Sequence, residues 1–219
     1  MKTHSESEEN YIKALYHLGG GEAVSNGALA QRVGAKGPSA TQAVKRLAAK
    51  GLAEVIPYKG VKLTSDGLAL AKHILRKHRL WETFLVEKLG FGWEEVHPLA
   101  EQLEHIQSRE LVEKLATYLG SPIHDPHGDP IPQADGAIPP TMGKPLQQFS
   151  ESSRLRIVRV EDAGTDFFNQ LDQLNISLGK EFTLISISNF DSSIQLKATD
   201  DLLFWLSHSM SSIIYAIAL

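Results

Sequence analysis

Residues 25–64 leave this chain little freedom of fold. Ser25 can cap a short helix with Ala28, Leu29, Ala30 and Val33 inward, and Gly34-Ala35-Lys36-Gly37 makes a turn after it. Pro38 suits the first position of the next helix, where its missing N–H costs nothing. That helix turns Val44 and Leu47 inward and stops at Lys50-Gly51. Two extended runs, 52–57 and 61–64, follow, and Tyr58-Lys59-Gly60 between them has hairpin chemistry. Ahead of all this, Ser7 can cap a first helix that carries Tyr11, Ile12, Leu15 and Leu18 up to Gly19-Gly20-Gly21. Three helices and a hairpin, with a glycine turn before a polar, basic third helix, predict a winged helix-turn-helix.

Charge points the same way. The net charge of -4 hides a basic block, because residues 32–79 hold eleven Lys and Arg against Glu54 and Asp66 alone. That window is +9 and the remainder −13. A solvated face is usually mixed in sign, so a basic block in an acidic chain predicts a local polyanion site. Ser39, Thr41 and Gln42 open the third helix, where hydroxyl and amide groups can reach base edges or phosphates. Lys36, Lys45 and Arg46 would pair with phosphates, as would Lys59 at the hairpin tip, with Pro38 shaping the helix start.

Beyond the hairpin, Thr64 or Ser65 caps a long helix that runs to Leu89 and is stopped by Gly90. A second helical pattern covers 93–107, and a third 108–119. Within the second, His97, Glu101, Glu104 and His105 fall inside about 100° of one face. His78 and Glu82 sit one turn apart in the long helix. Nitrogen and oxygen donors of this kind suit a hard or borderline divalent metal. Spacing alone also fits an ordinary solvated face rich in Glu.

Residues 120–150 are rich in Pro, Gly and Asp and read as an irregular connection; His124 and His127 in it are assigned to loop shape with Asp125 and Asp129. Short strands then follow at 155–160, 181–187, 194–197 and 213–217, with a helix near 167–174, predicting an SH3-like barrel. The absence of cysteine excludes disulfides and thiolate chemistry and fits a reducing compartment. Residues 1–9 are polar, without a signal-peptide core, and no apolar run reaches membrane-spanning length, so a cytoplasmic protein is expected.

The order resembles the diphtheria toxin repressor family of metal-dependent bacterial transcription repressors. Gly37-Pro38-Ser39-Ala40-Thr41-Gln42, Arg76-Lys77-His78-Arg79-Leu80-Trp81-Glu82, Val96-His97 through Glu104-His105, and Pro126-His127-Gly128-Asp129-Pro130-Ile131-Pro132 carry the resemblance. It implies a mainly α fold with a small β part: a winged helix over 1–73, a helical metal-binding and dimerisation domain over 74–142, and a linker end with an SH3-like domain over 143–219. It also implies one metal site from Asn10, Glu101, Glu104 and His105. A second would use His78, Glu82 and His97, helped by Asp166, or by Glu161 or Asp162, from the C-terminal domain. Glu101 stands where iron-responsive members tend to have cysteine, which leans toward Mn²⁺ over Fe²⁺; Zn²⁺ and other divalent ions are expected to bind in vitro. Asn10 and Lys13 depart from the acidic residues of many manganese regulators.

What the resemblance implies is a homodimeric repressor of metal-homeostasis genes that binds a palindromic double-stranded operator with metal as corepressor, and that is neither an enzyme nor membrane-bound. Two alternatives stay open. One is a winged-helix regulator of another ligand class; the other is a di-metal carboxylate enzyme or metal store, although Glu101 and His105 are four apart and His78 precedes Glu82, so neither gives the Glu-x-x-His order of such bundles.

Overall fold

The computed structural model describes residues 4–219. Residues 1–3, which open the polar amino-terminal stretch, lie outside the described residues. The chain falls into two compact units. The first gathers the residues up to His78 with Glu101–Lys114 and Pro132–Ala137; the second holds Arg79–Ala100, Leu115–Ile131 and Ile138–Leu219.

In the first unit, α1 (Glu6–Gly19), α2 (Asn26–Arg32) and α3 (Gly37–Ala49) precede the antiparallel hairpin β1 (Ala53–Ile56) and β2 (Gly60–Leu63). The cap of α1 is Ser5, not Ser7. Ser5 Oγ accepts from Glu8 N, and Ser5 N donates to Glu8 Oε2 at 3.0 Å, so the reciprocal box with Glu8 sets the helix start. Ser25 caps α2 as expected. Ile12, Leu15, Leu29, Val44, Leu47, Val61 and Ile74 form the core of this unit. The hairpin is pinned to α2's approach by paired backbone hydrogen bonds between Val24 and Val61 at 2.8 and 2.9 Å. Gly60 makes that approach possible: its φ is +116°, and a Cβ there would sit 2.0 Å from the Val24 carbonyl oxygen.

Helix α4 (Ser65–Leu89) is begun by Thr64, whose Oγ1 accepts from Gly67 N at 3.1 Å. Next come α5 (Val96–Leu103) and α6 (Arg109–Tyr118). Helix α5 is much shorter than the expected 93–107, so Glu104 and His105 lie in the turn beyond it.

The second unit contains a six-stranded antiparallel sheet, ordered β3-β8-β4-β5-β6-β7. Its strands are β3 (Lys144–Pro145), β4 (Arg154–Val160), β5 (Glu181–Ile187), β6 (Ile194–Ala198), β7 (Leu203–Leu206) and β8 (Ile214–Ala218). Helix α7 (Thr165–Gln173) drives Phe167, Phe168 and Leu171 into the core under it, beside Leu155, Ile157, Leu184 and Leu196. A short helix α8 (His208–Ile213) leads into β8. Strands β3 and β7 and helix α8 are additions to the sequence reading. The four remaining strands stand within one or two residues of their expected bounds.

Candidate metal centre and nucleic-acid interface

Helix α3 presents its donors outward. Lys36, its N-cap residue, is exposed, as are Pro38, Ser39, Gln42, Lys45 and Arg46. Thr41 is half-buried, with its hydroxyl donating to the Gly37 carbonyl at 3.0 Å. Lys59 is exposed at the hairpin tip beside Tyr58. The inward Ala40, Ala43, Val44 and Leu47 explain why the polar residues must face out.

The expected single donor face of α5 separates into different settings. In the first unit, the turn after α5 buries Glu104 completely. His78 Nδ1 lies 2.6 Å from Glu104 Oε2. Lys13 Nζ donates to the same oxygen at 2.9 Å, and lies 2.8 Å from Oε1 and 3.3 Å from Glu101 Oε1. Burial raises the Glu104 pKa, but the His78 hydrogen bond and the Lys13 charge outweigh it and hold the carboxyl below its usual range.

His105 is fixed from α1. Its Nδ1 donates to Glu9 Oε2 at 2.7 Å, and Gln107 Nε2 donates to Glu9 Oε1 at 2.8 Å. A carboxylate can only accept, so Nδ1 carries a proton, and in the neutral ring Nε2 is then the lone-pair nitrogen. That nitrogen is 4.0 Å from Glu104 Oε1, the span of two metal–ligand bonds of about 2.1 Å. Glu104 Oε1 receives no aligned hydrogen bond from any described residue, although it is buried. Glu104 Oε1 and His105 Nε2 therefore offer two donor atoms at a spacing that one divalent cation can bridge. Asn10 is exposed on α1; the side chain that α1 brings to His105 is its neighbour Glu9. Glu101 is about half exposed at the rim.

Glu9 escaped sequence reading, although a signal was present. With the start fixed by Ser5, Glu9 falls three residues before Ile12 on the buried stripe, and only 1% of it is exposed.

In the second unit, His97 Nδ1 stands 3.4 Å from Glu82 Oε1 and 3.2 Å from Asp162 Oδ2. Asp162 was one of the two stand-ins for Asp166; Asp166 itself is exposed in the first turn of α7. His78 precedes Glu82 by one turn of α4. Glu82 also meets a group that the sequence reading assigned to loop shape: one donor atom each of Glu82, Asp125 and His127 lie within 4.8 Å of one another, all buried. His127 Nε2 donates to the Trp93 carbonyl at 2.9 Å, and its Nδ1 stands 3.9 Å from Glu82 Oε2.

The shape expected of this loop has local causes. Asp125 Oδ1 accepts from His127 N and Asp129 N, both at 2.9 Å, and Arg79 Nε faces Asp125 Oδ2 at 3.4 Å. Gly128 has φ +85°, and a Cβ there would meet the Val158 carbonyl at 2.2 Å, so only glycine lets the loop lie on β4. Burial, then the Glu82 and Asp129 charges, push Asp125 up to about 7 against the pull of Arg79 and His127. A carboxylate crowded in this way gains from a cation among its neighbours. Sequence spacing cannot reveal this set, because Glu82 is far from residues 125–127 along the chain.

Comparison with known proteins agrees with this architecture. The model of the iron-dependent repressor N-terminal DNA-binding domain matches residues 3–61. That of the metal-binding and dimerisation domain of the same repressors matches 64–133, and a FeoA domain model matches 144–217. The diphtheria toxin repressor of Corynebacterium glutamicum is 30% identical over 219 residues, covering 92% of this chain and 95% of that protein. The iron-dependent repressor IdeR of Mycobacterium tuberculosis is 37% identical over 128 residues; that match spans 58% of this chain and only 56% of the relative. Among solved structures, a manganese-dependent transcriptional repressor in complex with manganese superposes with a TM-score of 0.87 at 31% identity, covering 97% of this chain and 100% of that one. ScaR with bound Zn²⁺ gives 0.81 at 32% identity, covering 97% and 99%. Among the described residues, no helix is long and apolar enough to cross a membrane. The chain belongs to the diphtheria toxin repressor family.

Proposed function

We propose that this chain is a divalent-metal-dependent transcriptional repressor that binds a palindromic operator as a homodimer and controls metal-homeostasis genes. One observation carries the reading. Adjacent residues of α1 hold opposite ends of the device: Glu8 accepts from Lys50, the C-cap residue of α3, at 2.7 Å, while Glu9 holds His105 at 2.7 Å. A movement of α1 is therefore felt at the recognition helix.

The first donor set is Glu101, Glu104 and His105, with Asn10 at its edge and Glu9 orienting the imidazole. The second is His78, Glu82 and His97, with Asp162 or Asp166 from the C-terminal part, and Asp125 and His127 add donors to Glu82. When bound, the ion would supply a positive cross-link among the donors of its set. Glu9 keeps the His105 proton on Nδ1, and so keeps Nε2 ready as a ligand. Glu8 and Lys50 carry the position of α1 to α3, where Ser39 and Gln42 read base edges and Lys36, Lys45, Arg46 and Lys59 grip phosphates. Two such helices in a two-fold dimer engage successive major grooves only at the right spacing.

The oxygen-rich donors favour Mn²⁺, with Fe²⁺ the alternative. The manganese-dependent repressor above, 31% identical to this chain, supports that order, while IdeR is named an iron-dependent repressor. The functional division remains 1–73, 74–142 and 143–219, with a cytoplasmic location. The test is capture of fragments of the source genome by the purified protein under anaerobic conditions with Mn²⁺, Fe²⁺ or a chelator. Enrichment of palindromic sites only with metal is expected; equal enrichment with chelator overturns the corepressor role.

A further inference from the structure

We propose that Lys13 is a built-in competitor for the first metal set: its ammonium group occupies Glu104 and Glu101 in the metal-free chain and must leave before a divalent cation binds there. Residue 13 would then set the metal concentration at which the protein responds. The inference rests on the assignment of Glu101, Glu104 and His105 as metal donors.

The geometry is that of a tethered cation seated in a ligand set. Lys13 follows Glu9 by one turn of α1, so one helix face offers both the carboxylate that orients His105 and the ammonium that covers Glu104. Its side chain is 13% exposed, and its Nζ lies within 2.9 Å of both Glu104 oxygens and 3.3 Å from Glu101. Among the described groups, Lys13 is the cation that reaches Glu104 Oε1, the oxygen that faces His105 Nε2. An ion bonded to that oxygen at about 2.1 Å would stand within a few ångströms of the ammonium, in a setting too buried for water to screen the repulsion.

Charge balance argues for displacement of Lys13 and not of its neighbour. Glu9, Glu101 and Glu104 face Lys13 and Lys77, and Lys77 Nζ is 3.8 Å from Glu9 with 2% of its side chain exposed. Lys77 has no route outward. Lys13 has one along Glu101, which is 52% exposed, and its four-carbon stem can swing the ammonium into water while staying packed. With Lys13 gone from the cluster, one divalent cation and Lys77 balance the three carboxylates. A second ion would make the set strongly positive, so the set takes one.

The same contact has a purpose in the metal-free state. Glu104 is fully buried, and a buried carboxylate without a cation is costly. Lys13 lets the metal-free protein stay folded, at the cost of weaker metal binding.

The test is a Mn²⁺ titration of the full-length protein, reading free Mn²⁺ by electron paramagnetic resonance, for wild type, Lys13→Gln, Lys13→Arg and Glu104→Gln. Thermal melting with and without Mn²⁺ accompanies each titration. Lys13→Gln is expected to tighten, about tenfold, the binding phase that Glu104→Gln removes. Its metal-free melting temperature should fall and its gain on adding Mn²⁺ should grow. Lys13→Arg, whose fork holds both carboxylates, should bind Mn²⁺ no more tightly than wild type. If Lys13→Gln binds equally or more weakly, or Lys13→Arg binds more tightly, while Glu104→Gln still removes the phase, the competitor role is overturned alone. If Glu104→Gln leaves every phase intact, the donor assignment falls and this inference falls with it. Should Lys13→Gln fail to fold, the arginine variant still decides, because tighter binding there contradicts the proposal.

Discussion

Lys50 Nζ sits 2.7 Å from Glu8 Oε2, and this pair joins the last turn of the recognition helix to the first turn of α1. The Glu8 side chain is only 6% exposed, and Ser5 N donates to the same oxygen. The contact lies on the path from His105 through Glu9 to α3, yet touches no proposed metal donor. Replacing Lys50 with Met should leave Mn²⁺ affinity within about twofold and reduce the metal-induced gain in operator affinity by about tenfold. Isothermal titration with Mn²⁺ and fluorescence anisotropy with operator DNA read the two quantities separately. An undiminished gain would show that α1 and α3 are coupled elsewhere.

Glu9 and Asn10 make opposite predictions. Glu9 is buried and orients His105, so Glu9→Gln should weaken metal binding by about 10-fold or more, the usual cost of losing a group that orients a ligand. Asn10→Ala, at an exposed position, should cost less than about threefold unless the Asn10 carbonyl turns in when metal binds. Equal losses in both variants, measured by equilibrium dialysis, would establish Asn10 as a donor as well.

These two residues show where sequence reading stops. The winged helix was legible because each of its boundaries has a local cause: the Ser25 cap, the turn ahead of Pro38, the stop at Gly51 and the Gly60 hairpin. Periodicity also placed Glu104 and His105 near each other, although α5 ends at Leu103 and they meet their partners from a turn. Asn10 is implied by the resemblance and not by periodicity; on the wheel fixed by Ile12 and Leu15 it is Glu9, three residues before Ile12, that falls on the buried stripe. The pairing of Glu82 with Asp125 and His127 has no local signature at all, since it exists only after the loop is laid on β4 through Gly128. Strand β7, with Leu203 and Trp205 half exposed, lacked the clean alternation that marks a strand.

Asp125 offers a way to count ions. Asp125→Asn keeps the oxygen that accepts from the His127 and Asp129 amides, so the turn should survive, but it removes a negative charge beside Glu82 and His127. Saturating equilibrium dialysis should then find one Mn²⁺ fewer per chain, with circular dichroism unchanged. Full occupancy in the variant would return Asp125 to a purely loop-shaping role.

On α3, Lys45 and Gln42 are both exposed but should fail differently. Lys45→Met should weaken binding to every sequence alike and lower the slope of log affinity against log salt by about one. Gln42→Ala should leave the slope unchanged and relax base preference within the site, by about 1–3 kcal/mol of discrimination. Anisotropy titrations across salt, on operator and scrambled duplexes, separate the two. A slope change in the glutamine variant would place Gln42 on the phosphates.

His73 predicts how the metal-free protein responds to acid. Burial first, then the nearby positive charges of Lys77 and Arg109, lower its pKa from the ordinary 6.5, while Glu9 pulls weakly the other way. The unfolded chain therefore binds a proton at this residue before the folded one does. The stability tied to neutral His73 is complete above about pH 6.5 and is lost as pH falls through the lower folded value. In urea denaturation with chelator present, wild type should lose stability steeply between about pH 7 and 5. His73→Asn, which cannot take up that proton, should show a shallower slope over the same window. Parallel curves would mean that the imidazole charges as easily in the fold as in water, and the basic surroundings of His73 would then have no part in the acid response.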